Sequence, residues 1–154
     1  MTKIASADLR SRMTRSSLGE RGSVLVEFAF VLPVLLLIVA GTYQFAITLN
    51  QYVMLTDATA AGARLFALSR GTNTPYSSSV NLIKSAASTL APASITFSFS
   101  VNQTACNSDA ACQTVLSPNS GQTAIITTTY PCSIQVIWYN YGCAMSVTVA
   151  ERVE

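Results

Sequence analysis

The chain has 154 residues, of which half are apolar, nine are basic and seven are acidic. This length allows one ordinary domain, and the apolar fraction is too high for an intrinsically disordered chain. A net charge of +2 argues against a broad basic surface for nucleic acid, and the absence of histidine removes His-based triads and HExxH zinc sites.

The N-terminus is distinctly basic. Residues 1–22 carry five basic side chains against two acidic ones, whereas residues 23–154 carry four against five. A basic polar segment ahead of an apolar one is a targeting arrangement, so we predict that residues 1–22 are a leader that takes no part in the fold.

An uncharged apolar segment follows the leader, from Phe28 to Ile47. As a helix, its 20 residues would span about 30 Å, the thickness of a bilayer core. Pro33 is compatible with a transmembrane helix, since neighbouring groups can satisfy the carbonyl that it frees. We therefore predict a membrane span over residues 23–47. The basic flank predicts a cytoplasmic N-terminus and a C-terminal part on the outer side. A buried helix of a soluble protein is the alternative.

The residues around the start of the span form a specific pattern. Residues 20–34 read ERGSVLVEFAFVLPV, so that with Ser23 as the first position Glu27 is the fifth and Phe28 the sixth. A glycine after a basic leader, followed by this Glu–aromatic pair, resembles the class III signal of type IV pilins. Such precursors are cut after the glycine by a membrane prepilin peptidase on the cytoplasmic side.

The resemblance extends along the helix and narrows to one family. The runs Arg21–Pro33 and Ala58–Arg64, the second reading ATAAGAR, resemble the TadE-like family of the tight-adherence (Flp pilus) system, over roughly residues 20–70. The resemblance implies a minor pilin or pseudopilin that is needed for assembly of a Flp-type adhesion pilus. It would be held in the bacterial inner membrane with its head in the periplasm.

The family also implies roles for individual residues. Cleavage would fall between Gly22 and Ser23, and Glu27 with Phe28 would pair subunits, the carboxylate meeting the N-terminal amine of a neighbour. An interfacial Glu27 without a partner is the alternative. Implied partners are the prepilin peptidase, the inner-membrane assembly platform with its ATPase, the major Flp pilin with other pseudopilins, and the lipid bilayer. The subunit's fate stays open between entering the fibre, capping it and remaining in the membrane.

Helical character continues past the span. Residues 48–70 contain no proline and many Ala and Leu residues, which predicts a helical stalk. Asn50, Asp57 and Arg64 are spaced seven apart and predict one polar stripe. Three small residues, Ala58, Ala61 and Gly62, allow close approach of a neighbouring helix. Ordinary packing on the protein's own head is the alternative for this patch.

The remaining residues, 71–154, are predicted to form an extracytoplasmic α/β head. Composition predicts a loop over 71–79 and a second helix over 78–90. Period-two alternation predicts a strand over 94–101, and further strands are predicted at 122–130, 134–139 and 144–150. The predicted fold class is α+β and type IV pilin-like: a long N-terminal helix followed by a small antiparallel sheet with a second short helix.

All four cysteines lie in this head, and small cores often need covalent staples. Of the three possible pairings, we favour Cys106–Cys112 and Cys132–Cys143, each of which closes a local loop. Zinc is the competing interpretation, but the spacings lack a CxxC knuckle and histidine is absent. We therefore expect two disulfides, no metal and no cofactor.

A catalytic pattern is not evident. The acids after the span are dispersed along the chain, and no nucleophile motif or phosphate loop accompanies them: Asp57, Asp109, Glu151 and Glu154. We expect a structural subunit, not an enzyme and not a nucleic-acid-binding protein. A signal-anchored periplasmic binding or scaffold domain unrelated to pili is the alternative function.

Overall fold

The computed structural model describes the backbone of residues 16–136 and 139–154, so most of the predicted leader lies outside the described residues. The chain forms two compact units, one extending to Tyr43 and the other comprising Gln44–Glu154. In chain order the elements are α1 (Ser16–Leu68), α2 (Pro75–Ala86), β1 (Thr96–Val101), β2 (Thr104–Cys106), α3 (Asp109–Leu116), β3 (Thr123–Val136) and β4 (Tyr139–Arg152). This arrangement confirms the predicted α+β class with a long N-terminal helix.

Helix α1 contains the whole predicted span. In the first unit its residues from Gly22 to Tyr43 are all exposed, and the helix continues through Pro33. By length and composition it can cross a membrane. The helix ends at Leu68, two residues earlier than predicted, because a tight turn follows in which Thr72 N–H donates to the Ser69 carbonyl and Gly71 has a φ of 79°.

The strands form one antiparallel sheet in the order β2-β1-β3-β4. Strands β1 and β2 are joined by Asn102 and Gln103, whose φ angles of 46° and 67° give the two-residue turn that matches strand twist. Strands β3 and β4 pair over their whole lengths, from Thr123 opposite Arg152 to Val136 opposite Tyr139. The predicted antiparallel sheet is confirmed.

The boundaries of β3 and β4 differ from the prediction. The strand predicted at 122–130 and the start of the one predicted at 134–139 are one strand, which ends at Val136. Residues 137 and 138 lie outside the described residues, Tyr139 begins β4, and the strand predicted at 144–150 is the second half of β4. Pro131 does not break β3, because β1 begins opposite Thr129 and leaves Pro131 with a strand neighbour on one side only. Proline is tolerated in such edge positions, where no ladder hydrogen bond is lost.

The helices after α1 also differ from the prediction. Helix α2 begins at Pro75, a residue pre-organised for the first helical position, and the preceding loop is correspondingly shorter than predicted. It ends at Ala86, and Leu90 lies in a following turn in which its N–H donates to the Ala87 carbonyl. Helix α3 and strand β2 were not predicted. The hydroxyl of Ser108 caps α3 by accepting from the Ala111 N–H at 3.3 Å.

The core forms where one face of α1 packs on the sheet. The buried positions on this face recur every three or four residues: Leu55, Ala58, Thr59, Gly62, Ala63 and Phe66. Phe66 meets Phe99 of β1 edge to face at 4.9 Å between centroids. The Thr59 hydroxyl donates to the Leu55 carbonyl at 2.6 Å, so its contact of 2.5 Å with Thr128 is donated by the Thr128 hydroxyl. Both buried hydroxyls are thereby satisfied.

Two disulfides hold the head, with the predicted pairing. Cys106–Cys112 joins β2 to α3, and Cys132–Cys143 joins β3 to β4 at a register pair. Their Cα atoms are 5.1 and 4.8 Å apart, within the range of natural disulfides. Closing loops this short stabilises a fold by about 2–3 kcal/mol each under the loop-entropy model.

Asp109 links α3 to α2. Its carboxylate accepts hydrogen bonds from the hydroxyl of Ser77 and from the Ser77 N–H, the latter at 2.9 Å. Thr74, the residue at the N-cap of α2, makes no side-chain capping bond, so Asp109 supplies the cap from another element. The Ser77 hydroxyl first, and then the Ser77 backbone N–H, hold the pKa of Asp109 below its ordinary value.

This cap should make stability depend on pH. Because the pKa is lowered in the folded state, the stabilisation is present above the unfolded carboxyl pKa of about 3.9 and is lost as the pH falls through the lower folded value. We expect Asp109→Asn to lower the denaturation midpoint at pH 7 and the difference from wild type to shrink by pH 3. Ser77→Ala should reduce the same pH dependence. An equal difference at both pH values would contradict the assignment.

A second prediction concerns the contact of α1 with α2 at Gly62. A Cβ added there would lie 2.6 Å from Ile83 Cδ1, whereas one added at Gly41 has no neighbour within 4 Å. Gly62→Ala should therefore lower the free energy of unfolding, since overpacking costs about 1–3 kcal/mol and the gain in helix propensity is only about 0.5–1. Denaturant titrations should show this loss, with Gly41→Ala as the control.

A double-mutant cycle sharpens the same test. Ile83→Ala removes both crowded side-chain atoms, Cγ1 and Cδ1, so the loss caused by Gly62→Ala should be smaller in that background. The close approach is refuted when Gly62→Ala is as stable as Gly41→Ala.

Candidate functional site

The predicted processing and pairing residues all lie on α1. Glu27 is the one charged residue between Arg21 and Asp57 in the sequence. It is exposed, as is Phe28 beside it. Ser23 precedes Glu27 by four residues, which is one helical turn and about 6 Å along the axis. The bond between Gly22 and Ser23 therefore lies one turn before a lone carboxylate on an otherwise uncharged helix.

Gly22 and Gly62 occupy contrasting environments. Gly62 is buried against Ile83, and any larger residue would crowd that contact. Gly22 is exposed, with no atom within 4 Å of an added Cβ. Packing thus explains the glycine at Gly62, whereas no contact in the described structure requires one at Gly22.

The small-residue patch is engaged within the chain. Ala58 and Gly62 are buried and Ala61 is partly buried, with Gly62 meeting α2 through Ile83. Of the two alternatives that the sequence left open, this contact is the packing of the helix on its own head. The patch is therefore part of the core of the second unit.

The predicted polar stripe is exposed along the same helix. Asn50, Asp57 and Arg64 all face solvent, and Arg64 Nε lies 3.6 Å from Glu151 Oε1. It is the one ion pair among the described side chains. With the Arg64 side chain 76% exposed, such a pair contributes at most about 1 kcal/mol. The stripe supplies solubility more than a binding site.

The head offers little for catalysis or metal binding. The residues that the structure describes contain no cluster of three or more potential metal ligands. A shallow depression mixes basic and acidic side chains with apolar ones and has no nucleophile; it is lined by Arg64, Ala67, Leu68, Glu151, Arg152 and Glu154. The four cysteines are committed to disulfides.

Besides α3 and β2, two side-chain features of the head were not predicted from the sequence. One is the cap that Asp109 supplies to α2, which joins residues 32 positions apart. The other is a pair of exposed tyrosines at the start of β4, Tyr139 and Tyr141, with ring centroids 6.3 Å apart. The available signal for the second was the complete absence of charge from Ala110 to Ala150.

Comparison with known proteins adds one finding. Residues 22–64 match the model of a family described as TadE-like protein, and no curated protein or solved structure matched the chain. The matched segment begins at Gly22, includes Ser23, Glu27 and Phe28, and ends at Arg64. The resemblance inferred from the sequence is thus confirmed for residues 22–64, which comprise most of helix α1 and are similar to the TadE-like family.

Proposed function

We propose that this chain is a minor pilin or pseudopilin of the tight-adherence pilus system, inserted in the inner membrane and cut by a prepilin peptidase. The observation that carries the proposal is the TadE-like match, which starts at the predicted processing glycine, Gly22, and follows α1. The family associates the chain with pilus assembly, and the chemistry of α1 supports the specific role.

Membrane insertion is supported by the surface of the first unit. All its side chains from Gly22 to Tyr43 are exposed, and Glu27 is the one charged residue among them. Exposed apolar surface costs about 25 cal/mol per Å² in water, and a bilayer removes that cost. The basic residues before the span favour a cytoplasmic N-terminus and a periplasmic head. The two disulfides fit that oxidising compartment.

Processing after Gly22 explains why a glycine occurs at this position. Glycine in a helix is less favourable than alanine by about 0.5–1 kcal/mol, and no contact in the described structure offsets this at Gly22. A peptidase that needs a glycine before the cleaved bond accounts for its presence. The same exposed environment leaves the Gly22–Ser23 bond accessible to an enzyme at the membrane face.

Cleavage also creates a partner for Glu27. It frees the amine of Ser23, a cation at the membrane surface. A carboxylate at the edge of hydrocarbon is costly when unpaired, so pairing with the Ser23 amine of a neighbouring subunit offsets part of that cost and fixes the axial register. The major Flp pilin and other pseudopilins are the neighbours that this role requires, with the assembly platform and its ATPase as partners in the membrane. The head then has a structural role, without a catalytic step.

The first test is the mature N-terminus. We expect the intact mass of membrane-extracted protein to show the loss of residues 1–22, leaving Ser23 as the first residue. Gly22→Val should block this loss, because it changes the residue before the cleaved bond. Gly41→Ala, at a second open helical glycine, is the matched control and should be processed normally. A leader that stays intact in cells with active prepilin peptidase favours a signal-anchored periplasmic domain instead.

The second test is the role of Glu27. We expect Glu27→Val to insert at least as well as wild type, since it makes the span more apolar, and yet to reduce surface piliation severely. Glu27→Asp should retain partial function, because its charge survives on a shorter arm. Asp57→Asn removes an exposed acid from the same helix and serves as the control. Piliation is scored only in strains whose protein is processed and normally abundant. Full piliation with Glu27→Val would contradict a role for Glu27 in subunit pairing.

A further inference from the structure

The end of the β3–β4 hairpin forms a two-stranded ribbon. We define the ribbon as residues 130–136 of β3 paired with 139–145 of β4. Strand β1 ends its pairing at Thr129, so within the described backbone the ribbon strands have only each other as sheet neighbours. The ribbon continues the sheet beyond its four-stranded part.

One face of the ribbon is apolar and aromatic. Because paired residues share a face and alternate along each strand, the ribbon continues the face that buries Thr128 and Val147 against the core. The described residues on this face are Tyr130, Cys132, Tyr139, Tyr141, Cys143 and Met145. The opposite face carries small or polar residues: Pro131, Ser133, Asn140, Gly142 and Ala144.

The core covers only part of this face. Cys132 and Met145 are 9% and 8% exposed, whereas Tyr141 and Tyr139 are 61% and 69% exposed. The described part of the chain thus leaves two stacked tyrosine rings uncovered on the same face that is buried nearer the core. Both rings are therefore free to contact another surface.

The contacts between α1 and the sheet show in which direction along the helix the ribbon extends. Thr59 of α1 contacts Thr128, which is paired with Val147. Nearer the end of the helix, Ala67 accepts a hydrogen bond from the Glu154 N–H at 3.2 Å. Moving from Glu154 to Val147 along the chain therefore follows α1 backwards from Ala67 to Thr59. The ribbon, which lies further in that direction, extends towards Ile47, where the predicted span ends.

The ribbon is long enough to come within about one helical turn of Ile47. From Thr128 to Val136 a strand advances about 26 Å, and from Thr59 back to Ile47 the helix covers about 18 Å. The contacts at Thr59 and Ala67 match about 12 Å of helix to about 23 Å of strand, so the ribbon advances about 14 Å along the helix, to the level of Asn50, one turn from Ile47. In addition, the helix face that contains the buried Leu55 is partly buried further back, at Gln44, Thr48 and Gln51. The covered face of α1 therefore extends to the level of Ile47.

The chemistry of the ribbon suits a bilayer surface. No charged residue occurs between Ala110 and Ala150, although exposed sheet edges commonly carry charges. Tyrosine rings with a polar hydroxyl are enriched at the level of lipid headgroups. An uncharged ribbon with one aromatic face can lie in that interface without removing a charge from water.

We propose that the ribbon is a second membrane contact of the protein, with Tyr139 and Tyr141 in the headgroup region of the bilayer that holds α1. The proposal rests on the membrane insertion of the proposed function and goes beyond it, because it assigns a lipid-binding surface to the head. The contact fixes the orientation of the head relative to the membrane surface. It requires neither a second copy of the chain nor another protein.

The chain's single tryptophan provides a probe. Trp138 directly precedes Tyr139 in the sequence, so its fluorescence reports on the ribbon. With the full chain in phosphatidylcholine vesicles, we expect blue-shifted emission and several-fold weaker quenching by iodide than for free tryptophan in water. Lipids brominated near the headgroup end of the acyl chain should quench more strongly than lipids brominated near the bilayer centre.

A charged variant and its matched control test the role of the tyrosines. Tyr139→Asp with Tyr141→Asp should abolish quenching by brominated lipid and restore quenching by iodide. Ser146→Asp with Thr148→Asp places the same charges at exposed positions of β4 beyond the ribbon and should leave both unchanged. Peptide mapping of the Cys132–Cys143 disulfide checks that each variant has folded.

Alkaline extraction separates the possible failures. If the chain resists extraction but Trp138 is open to iodide and unaffected by brominated lipid, the ribbon contact is refuted while membrane insertion stands. If Trp138 is shielded from iodide without quenching by brominated lipid, a protein surface covers the ribbon, and the lipid contact is again refuted. A chain that alkaline treatment extracts refutes insertion and the ribbon contact together.

Discussion

The close approach of α1 to the sheet and to α2 is the contact on which the head depends. It is possible because the helix presents small side chains there, with Gly62 against Ile83 and Thr59 hydrogen-bonded to Thr128. Apolar burial alone would allow the helix to slide or rotate on the sheet. The hydroxyl pair, buried and fully satisfied, fixes one register, because a shift would leave the buried Thr128 hydroxyl unpaired at a cost of about 1–3 kcal/mol, although Thr59 would keep its bond to the Leu55 carbonyl.

That single register has a consequence for the rest of the chain. Helix α1 supplies both the apolar segment that begins near Gly22 and the central helix of the head, without interruption at Pro33. The register that Thr59 and Thr128 set on the sheet therefore also sets the direction in which the β3–β4 ribbon extends along the helix. The small-residue patch of α1, at Ala58, Ala61 and Gly62, resembles the contact surface of a membrane helix. Here it helps to position the strands of the same chain.

The sequence predicted features that depend on local pattern. The uncharged span, the long helix, the alternation of β1 and the two short disulfide loops each lie within one segment of chain. The strand breaks were placed wrongly, because whether Pro131 interrupts β3 depends on where β1 stops, and that is a property of pairing. Likewise, Asn102 and Gln103 form a hairpin turn only because β2 folds back on β1.

The features of the candidate site also differ in whether local sequence or the fold determines them. Gly22, Ser23 and Glu27 were singled out from the sequence alone because the processing signal proposed for them is linear and needs no tertiary contact. The exposure of Tyr139 and Tyr141 could not be predicted, since it depends on how far the core covers one face of a ribbon. The cap at Asp109 was equally hidden: in the sequence it is one of several dispersed acids, and only the fold brings it to Ser77.

Helix α3 shows how the head compensates for a thin core. Its eight residues are too few to form a stable helix alone, and three constraints hold it: the Ser108 cap, the Cys106–Cys112 disulfide and the bonds from Ser77 to Asp109. The bonds from Ser77 to Asp109 also cap the N-terminus of α2, where Thr74 makes no side-chain capping bond. Helix α2 carries Ile83, so the contacts that join α3 to α2 also hold the helix that packs against Gly62 of α1. A short element that the sequence did not predict therefore supports the helix packing that the rest of the head requires.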